Sequence, residues 1–564
     1  MNVLGLSCYF HDAAAALVVD GQVVAAAEEE RFTRRKHDNA FPEKAIAFCL
    51  AQAGLDARDL DGVAFYEKPL AKFHRAVRTG LDYAPDDVGA FTRRLVRLRH
   101  EGLLVEERLR GFTGFHGPFW YVEHHAAHGA SAFYCSPFDR ATVVTVDGVG
   151  EFATTTIGRA EGHAYERLCQ IHYPHSLGLF YSTITAFLGF AVNSDEYKVM
   201  GLASYGQPTF MREMDDLLEV REDGSFRLNL DYFRFHVNDT VMHTPKLEVL
   251  LGAPHPADAS PGARERDIAA SAQLKLEQAM TTLLGAAHAR TGDAHLCLAG
   301  GVALNGVANW RAFRRSPFQR LFIQPAAGDS GGAIGAALHA YHQQPGALDV
   351  RATPFSPYQG PAFDDIDVEA AVRAQHLPFR RLEDDALLHE VAARIAGDQI
   401  VGWFQGRMEF GPRALGSRSI LANATNAAMK DRINACVKFR EPFRPFAPAV
   451  LEERADEFFE LDGHEAPYML LVPDAKPGAA DRIPAVVHVD NTGRVQTVSR
   501  RLNERFHSLL QHVDRACGAP VVLNTSFNVK GEPIVCTPTD AIRCFLGTDI
   551  DVLALNNYIV EKVC

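Results

Sequence analysis

The sequence predicts an α/β protein of at least two domains, and three observations carry that reading. The chain has 564 residues, more than one hydrophobic core serves. Residues 1–342 repeat a grammar of strand, glycine turn and helix. After a break rich in Pro and Gly, residues 361–564 alternate short apolar strands with amphipathic helices.

The elements follow in order. "NVLGL", "AAALVV" and "QVVAAAEE" are apolar runs, the last two joined by Asp20-Gly21, a two-residue hairpin turn. "PEKAIAFCLAQAGL" has helical spacing and stops at Gly54, and "DGVAFY" is a strand. Residues 67–112, rich in Arg and Leu, read as a helical insertion. "VEHHAAHGASAFYCS" is a helix, and "ATVVTVDGVGEFATTTIG" is strand, tight turn, strand. Residues 207–265 are polar and irregular, a second insertion. A long helix then ends at Gly292, and "HLCLAGGVALNGVANWRAF" and "LFIQPAAGDSGGAIGAALHAYHQQ" each run strand, glycine turn, helix. Residues 343–360 lack periodicity and are the expected linker. Beyond it, "QIVGWFQG", "YMLLVP", "PVVLNTSF" and "DVLALN" read as strands, between helices such as "DALLHEVAARIAG" and "NERFHSLLQHVDRACG".

Composition excludes several classes. A formal net charge of −13 argues against a general nucleic-acid or anionic-membrane surface. The ten cysteines form no CxxC pair, so a disulfide framework or zinc–sulfur site is not expected and a reducing compartment fits. The apolar runs are too short to span a bilayer, and the N-terminus lacks a basic leader pattern. A cytoplasmic location is the expectation.

Three turns, "GLSCYFHD", "VDGVGE" and "AGGVALN", follow strands and set backbone N–H groups, including those of Gly148, Gly300 and Gly301, at one sheet rim, where phosphates bind. In this order, separated by helices, they resemble the nucleotide-binding fold shared by actin, sugar kinases and the Hsp70 ATPase. His124 and His128 stand four apart on the expected helix, a metal-ligand spacing, with His125 as a competitor for His124. With 24 His in the chain, roughly one such pair arises by chance, so the spacing alone is weak. Asp147 and Asp329, placed at strand ends near the same turns, strengthen it, and the four together suit iron, zinc or manganese. His11 is either a hairpin histidine bonded to Asp12 or a general base. In the acidic chain, "KFREPFRPFAP" is a stiff cationic loop, either solvated or an anion site.

These stretches, together with "YKVMGLASYG", "GPRALGSRS" and "LNTSFNVKGEPIV", resemble the O-carbamoyltransferases of natural-product pathways, the nodulation and cephem type that includes the tobramycin carbamoyltransferase. The resemblance runs over nearly the whole chain. It implies an actin/Hsp70-like N-terminal domain similar to the tRNA threonylcarbamoyl transferase. The C-terminal domain it implies is an α/β adenylate-forming one, similar to threonylcarbamoyl-adenylate synthase. The implied chemistry is carbamoyl phosphate plus ATP (with Mg2+) giving carbamoyl-adenylate, then carbamoyl transfer to a hydroxyl of a small molecule. Iron, Fe2+ or another divalent ion, falls on His124, His128, Asp147 and Asp329, and the catalytic histidine on His11. Some relatives carry an aspartate two residues earlier, where Tyr9 stands here.

The resemblance further places Lys438, Arg440, Ser526 and Asn528, with Arg413, Arg444 and Arg494, in the adenylate-forming site. Gly300, Gly301 and Asn305 suit the second nucleotide site, and Lys36 is a lesser phosphate contact. Cations are needed because ATP and carbamoyl phosphate repel each other, and arginine forks match phosphate oxygens. Pro442 and Pro445 stiffen the loop, and Phe439, Phe443 and Phe446 are placed to anchor it or wall off solvent. Carbamoyl-adenylate is labile, so a closed passage between the sites is expected. The acceptor is unreadable, and a homodimer is the open expectation. Two other readings are a tRNA threonylcarbamoyl transferase-type enzyme, disfavoured by the acidic charge, and a non-catalytic actin/Hsp70-like switch, which would not need the second site.

Overall fold

The computed structural model describes residues 1–238, 240–351 and 355–562. Residue 239 of the second insertion, residues 352–354 of the expected linker and Cys564 lie outside the described residues. The chain divides into two compact units, Met1–Glu29 with Asn39–Phe355, and Glu30–Asp38 with Ser356–Cys564. Residues 30–38, read from sequence as part of the 1–342 domain, thus belong with the C-terminal unit.

The first unit holds two sheets built alike. β1 (Asn2–Ser7), β2 (Ala14–Val19), β3 (Gln22–Glu28), β4 (Gly62–Phe65) and β5 (Phe119–Tyr121) lie in the order β3-β2-β1-β4-β5. β6 (Arg140–Val146), β7 (Ala153–Glu161) and β8 (Ala164–His172) come next, followed by a separate small hairpin of β9 (Leu218–Val220) and β10 (Phe226–Leu228). With β11 (His295–Ala299) and β12 (Arg320–Ile323), the second sheet has the order β12-β11-β6-β7-β8. In each sheet the first strand pairs antiparallel with the second and parallel with the fourth. The duplicated order is the actin/Hsp70-like arrangement expected from the three turns.

Each sheet's last strand leads into a helix, His124–Phe133 after β5 and Asp329–His342 after β12. These two helices lie against each other so closely that a Cβ on Gly335 would stand 1.8 Å from the Ala127 carbonyl oxygen. Only glycine permits that approach, and the contact brings both helices' first turns to one place. The first insertion is helical, as expected: Pro69–Tyr83, Val88–Glu101 and Val105–Thr113. The second is not irregular throughout, because it holds helices Met211–Leu217 and Pro245–Leu251 as well as the β9/β10 hairpin. Sparse apolar side chains (Leu217, Phe226, Leu228, Leu247) are buried there, and the polar residues between them hide the pattern in sequence.

The second unit is an α/β layer. β13 (Phe379–Arg381), β14 (Val401–Phe404), β15 (Arg418–Asn423), β16 (Ala447–Leu451), β17 (Gln496–Val498), β18 (Val521–Ser526), β19 (Val552–Leu555) and β20 (Tyr558–Val560) form one sheet, in the order β13-β20-β19-β14-β15-β18-β16-β17. Helices Asp384–Ala396 and Glu504–Cys517 pack Val391, Ile395, Leu510 and Val513 into one core with Trp403, Leu421 and Val522. The expected strand "YMLLVP" is not one. Its residues are buried, but Met469 takes a left-handed φ of 57° that breaks an extended run. Among the described residues no helix is long and apolar enough to cross a membrane.

Candidate metal centre and anion site

His124 and His128 leave the first turns of the His124–Phe133 helix, Asp329 opens the Asp329–His342 helix, and Asp147 follows β6. Close packing of the two helices therefore gathers four chain-distant donors in one buried group. His124 Nε2 is 3.0 Å from Asp147 Oδ2, 3.1 Å from His128 Nε2 and 3.7 Å from Asp329 Oδ1. His128 Nε2 is 3.8 Å from Asp147 Oδ2 and 3.6 Å from Asp329 Oδ1. Tetrahedral bonds of about 2.1 Å set ligand atoms about 3.4 Å apart, the middle of this range. Calcium is disfavoured by donor type, since it takes about six to eight oxygen ligands rather than imidazole. The residues fit a first-row transition ion.

One carboxylate is also held from behind. Asp147 Oδ1 accepts the Gly301 N–H at 2.7 Å, leaving Oδ2 for the histidines. Burial opposes charge on His124, yet the hydrogen bond to Asp147 and the nearby carboxylates raise its pKa to about 9. Asp147 is buried, which alone would raise its pKa, but the histidines hold it well below the usual carboxylate range. His125 is excluded from the group. Its Nδ1 lies 2.6 Å from Thr145 Oγ1, its Nε2 lies 2.9 Å from the Ala153 carbonyl, and burial lowers its pKa to about 3.

His11 lies in the β1–β2 turn with Nδ1 2.6 Å from Asp12 Oδ2 and Nε2 against the Asn193 carbonyl. Both neighbours are acceptors, so the ring holds two protons. Burial disfavours that charge, but Asp12 and the Asn193 carbonyl outweigh it and raise the pKa to about 10. The ring becomes a base only once the Asn193 carbonyl gives way.

The glycine turns do more locally than sequence suggested. Gly300 has φ of 95°, and a Cβ there would stand 2.3 Å from the Val146 carbonyl oxygen. The turn is thus wedged against the end of β6, which is what aims the Gly301 N–H at Asp147. Asn305 caps the Gly306–Arg314 helix by accepting the Ala308 N–H at 3.0 Å, and its amide donates to Gln273 Oε1 at 2.9 Å. The Gly148 carbonyl accepts from Ser176 Oγ at 2.8 Å, and a Cβ on Gly148 would meet nothing within 4 Å.

In the second unit the helix Ala428–Ile433 widens into a π turn, Asn434–Lys438, as occurs at functional sites. Lys438 is buried at its end, and its ammonium donates to the Ser526 carbonyl. It also lies 3.3 Å from Ser526 Oγ, 2.9 Å from the Asn528 carbonyl and 2.8 Å from Asn528 Oδ1. Burial, reinforced by Arg440, lowers the Lys438 pKa well below its ordinary value. Arg440 donates to Asn434 Oδ1 at 2.8 Å and stacks 4.5 Å above the Phe446 ring. Arg444 is half-buried and lies 3.8 Å from Glu441. The fold thus brings Lys438, Arg440, Arg444, Ser526 and Asn528 together. Of the three phenylalanines only Phe446 is in the core, while Phe439 is 52% exposed. Arg413 precedes Ala414, whose carbonyl takes the Asn524 amide, two residues before Ser526. Arg494 is half-buried just ahead of β17, and Lys36 is exposed.

Sequence reading missed several participants. Glu151, inside "VDGVGE", accepts the His124 and Lys68 backbone N–H groups and pins the start of the histidine helix. Lys72, in the first insertion, is buried against Glu67 at 2.7 Å and lies 5.1 Å above the ring of Phe10, next to His11. The unusual carboxylate in a glycine turn was the one available signal for Glu151.

This chain belongs to the carbamoyltransferase family, whose signatures cover most of its length. The family's N-terminal signature, "Carbamoyltransferase N-terminus", matches residues 2–338, and its "Carbamoyltransferase C-terminus" signature matches residues 392–562. Among relatives, the Synechocystis protein sll1178 is 44% identical over all of this chain and 97% of its own. Nodulation protein NolNO of Sinorhizobium fredii is 38% identical over 98% of this chain and 79% of its own. Nodulation protein U of Rhizobium tropici is 30% identical over all of this chain and 96% of its own. Among solved structures, the Acidaminococcus fermentans (R)-2-hydroxyglutaryl-CoA dehydratase component A is 14% identical and aligns with 61% of this chain and all of its own at a TM-score of 0.32.

Proposed function

We propose that this carbamoyltransferase is ATP-dependent and works in two steps. The observation that carries the reading is the buried Lys438 ammonium held by Ser526 and Asn528 beside Arg440. An ammonium has three protons, and four oxygens already surround this one. Such a group is ready to exchange a backbone contact for a phosphate oxygen, and burial strengthens that exchange.

In the first step water cleaves carbamoyl phosphate to carbamate and inorganic phosphate. A carbamate oxygen then attacks the α-phosphorus of ATP, the bond to pyrophosphate breaks, and carbamoyl-adenylate forms. Lys438, Arg440 and Arg444 offset the repulsion between ATP and the anionic carbamoyl donor and stabilise the charge developing at phosphorus. Arg413 and Arg494 add positive charge to the phosphate path, and Ser526 and Asn528 orient Lys438.

In the second step a hydroxyl of a small-molecule acceptor attacks the carbamoyl carbon and AMP leaves. When the Asn193 carbonyl gives way and Nε2 releases its proton to solvent, the acceptor hydroxyl bonds at Nε2 and His11 takes the hydroxyl proton while Asp12 holds Nδ1. A divalent ion, iron in this reading, held by His124, His128, Asp147 and Asp329, supplies Lewis-acid charge for the nucleotide phosphate. Gly148, Gly300 and Gly301 let backbone approach the nucleotide, with Asn305 fixing the helix behind them. The test is carbamoyl-phosphate-dependent ATP–pyrophosphate exchange by the purified chain. Exchange without any acceptor is expected, and its absence under saturating substrates overturns the first step.

A further inference from the structure

We propose that residues 30–38 are a positioning element of the Lys438 site, with Arg34 as its main anchor; the inference rests on the adenylation reading above. This stretch follows β3 in sequence, yet it is part of the second unit. Arg34 spreads its guanidinium over the far leg of the loop that starts at Asn528. Nη1 donates to the Ile534 carbonyl at 2.6 Å, Nη2 donates to the Pro533 carbonyl at 2.8 Å, and Nε lies 3.7 Å from Asp540 Oδ1. The bond to Ile534 spans 500 residues of sequence. Asp540 in turn accepts the Thr537 N–H at 3.0 Å, at the start of the Pro538–Leu546 helix.

The loop itself is closed by two bonds. The Val535 N–H donates to the Phe527 carbonyl at 2.9 Å, and the Asn528 amide donates to the Glu532 carbonyl at 2.7 Å. Asn528 Oδ1, on the near leg, is 2.8 Å from Lys438 Nζ. Moving Pro533 and Ile534 therefore moves the oxygen that orients the lysine. A planar fork across two successive carbonyls fixes that leg in position and angle, which a single ammonium would not do.

The same segment holds the neighbouring loop. Arg31 is 4% exposed and donates to the Gly411 carbonyl at 2.9 Å, two residues before Arg413. Between the two arginines, Phe32 packs against Met408, Ala414, Ile534 and Cys536, a cluster drawn from both loops. One short stretch thus sets the spacing between the loop of Arg413 and the loop of Asn528. None of its three contacts touches the lysine, so its role is positioning.

The experiment uses the full chain with Arg34→Ala, Arg34→Lys and Phe32→Leu, and Arg35→Ala as control, since Arg35 is exposed and pairs with Asp38 at 2.8 Å. Carbamoyl-phosphate-dependent ATP–pyrophosphate exchange gives kcat and KM, and hydrogen exchange follows the backbone of residues 527–536. Arg34→Ala is expected to lower kcat about ten- to a hundredfold with KM for ATP within about threefold, the signature of a misplaced group. Backbone exchange at residues 527–536 should rise about tenfold in the same variant. Arg34→Lys should fall between the two, and Arg35→Ala should match wild type. A purely stabilising role would lower the melting temperature and leave kcat of the folded protein unchanged, which would overturn the proposal. Unchanged protection of residues 527–536 in Arg34→Ala overturns it equally. If Arg34→Ala does not fold, Arg34→Lys and Phe32→Leu give the same readouts. A wild-type chain without exchange activity refutes the adenylation reading instead, and the protection data still decide what Arg34 holds.

Discussion

Replacing Lys438 with methionine keeps length and packing and removes the charge. Two stability terms then oppose each other. Burying the ammonium costs several kcal/mol, which the substitution removes. Against that, Ser526 and Asn528 carbonyls and Asn528 Oδ1 lose their donor, at about 1–3 kcal/mol for each acceptor left dry. The expected net loss of folding stability is about 1–3 kcal/mol, which the chain tolerates. Function has no such cancellation. One fixed donor aimed at developing charge is worth about 2.7–4 kcal/mol, so ATP–pyrophosphate exchange should fall about 10²–10³-fold. Lys438→Arg should not rescue it, because the pocket holds a compact ammonium and the planar fork is larger. The assay is exchange of labelled pyrophosphate into ATP with carbamoyl phosphate present, alongside a melting curve. Exchange by Lys438→Met within about threefold of wild type, with the fold intact, would refute the reasoning that a fixed buried cation enables the reaction.

Further outcomes are expected. His11, with its pKa raised to about 10, stays protonated at neutral pH, so kcat/KM for carbamoyl transfer should rise with pH toward that value. Asp12→Asn removes the main stabiliser of the charged ring and should move this limb to lower pH, as a pH–rate profile would show. The stability due to the Asp12 pair should be complete below about pH 6.5 and fade as pH rises through about 10, since a raised pKa favours the folded state only while the ring is charged. Elemental analysis of His128→Ala or Asp329→Asn should show metal content reduced about tenfold or more, with exchange activity in the second unit within about twofold of wild type. Arg418 is fully buried, stacks 3.6 Å above Phe404 and donates to the Gln405, Gly406 and Pro361 carbonyls, so Arg418→Met should cost about 3–5 kcal/mol by denaturant titration.

Periodicity and punctuation made much of the fold legible. The Asp20-Gly21 hairpin, the helix capped at Gly54 and the long helix ending at Gly292 follow from local rules and appear where those rules put them. Short strands were harder. β13, β17 and β20 have three residues each, too few to show alternation, and β15 follows a glycine-rich turn that masks it. "YMLLVP" failed for the opposite reason, because burial from distant chain makes an irregular segment apolar.

The chemistry divides along the same line. Residue type and order alone marked His124, His128, Asp147 and Asp329 as candidate ligands, and marked the Lys438 loop as cationic, because donor identity and charge belong to each residue. Sequence could not choose between His124 and His125, one helical step of 100° apart; helix packing decided that, by turning His125 toward Thr145. Nor could it show that Asn193 blocks His11, that Gly301 braces Asp147, or that Arg34 grips a loop 500 positions away. Those facts depend on which backbone groups come to face each other, and contacts between chain-distant residues exist only once the sheets and helices have packed.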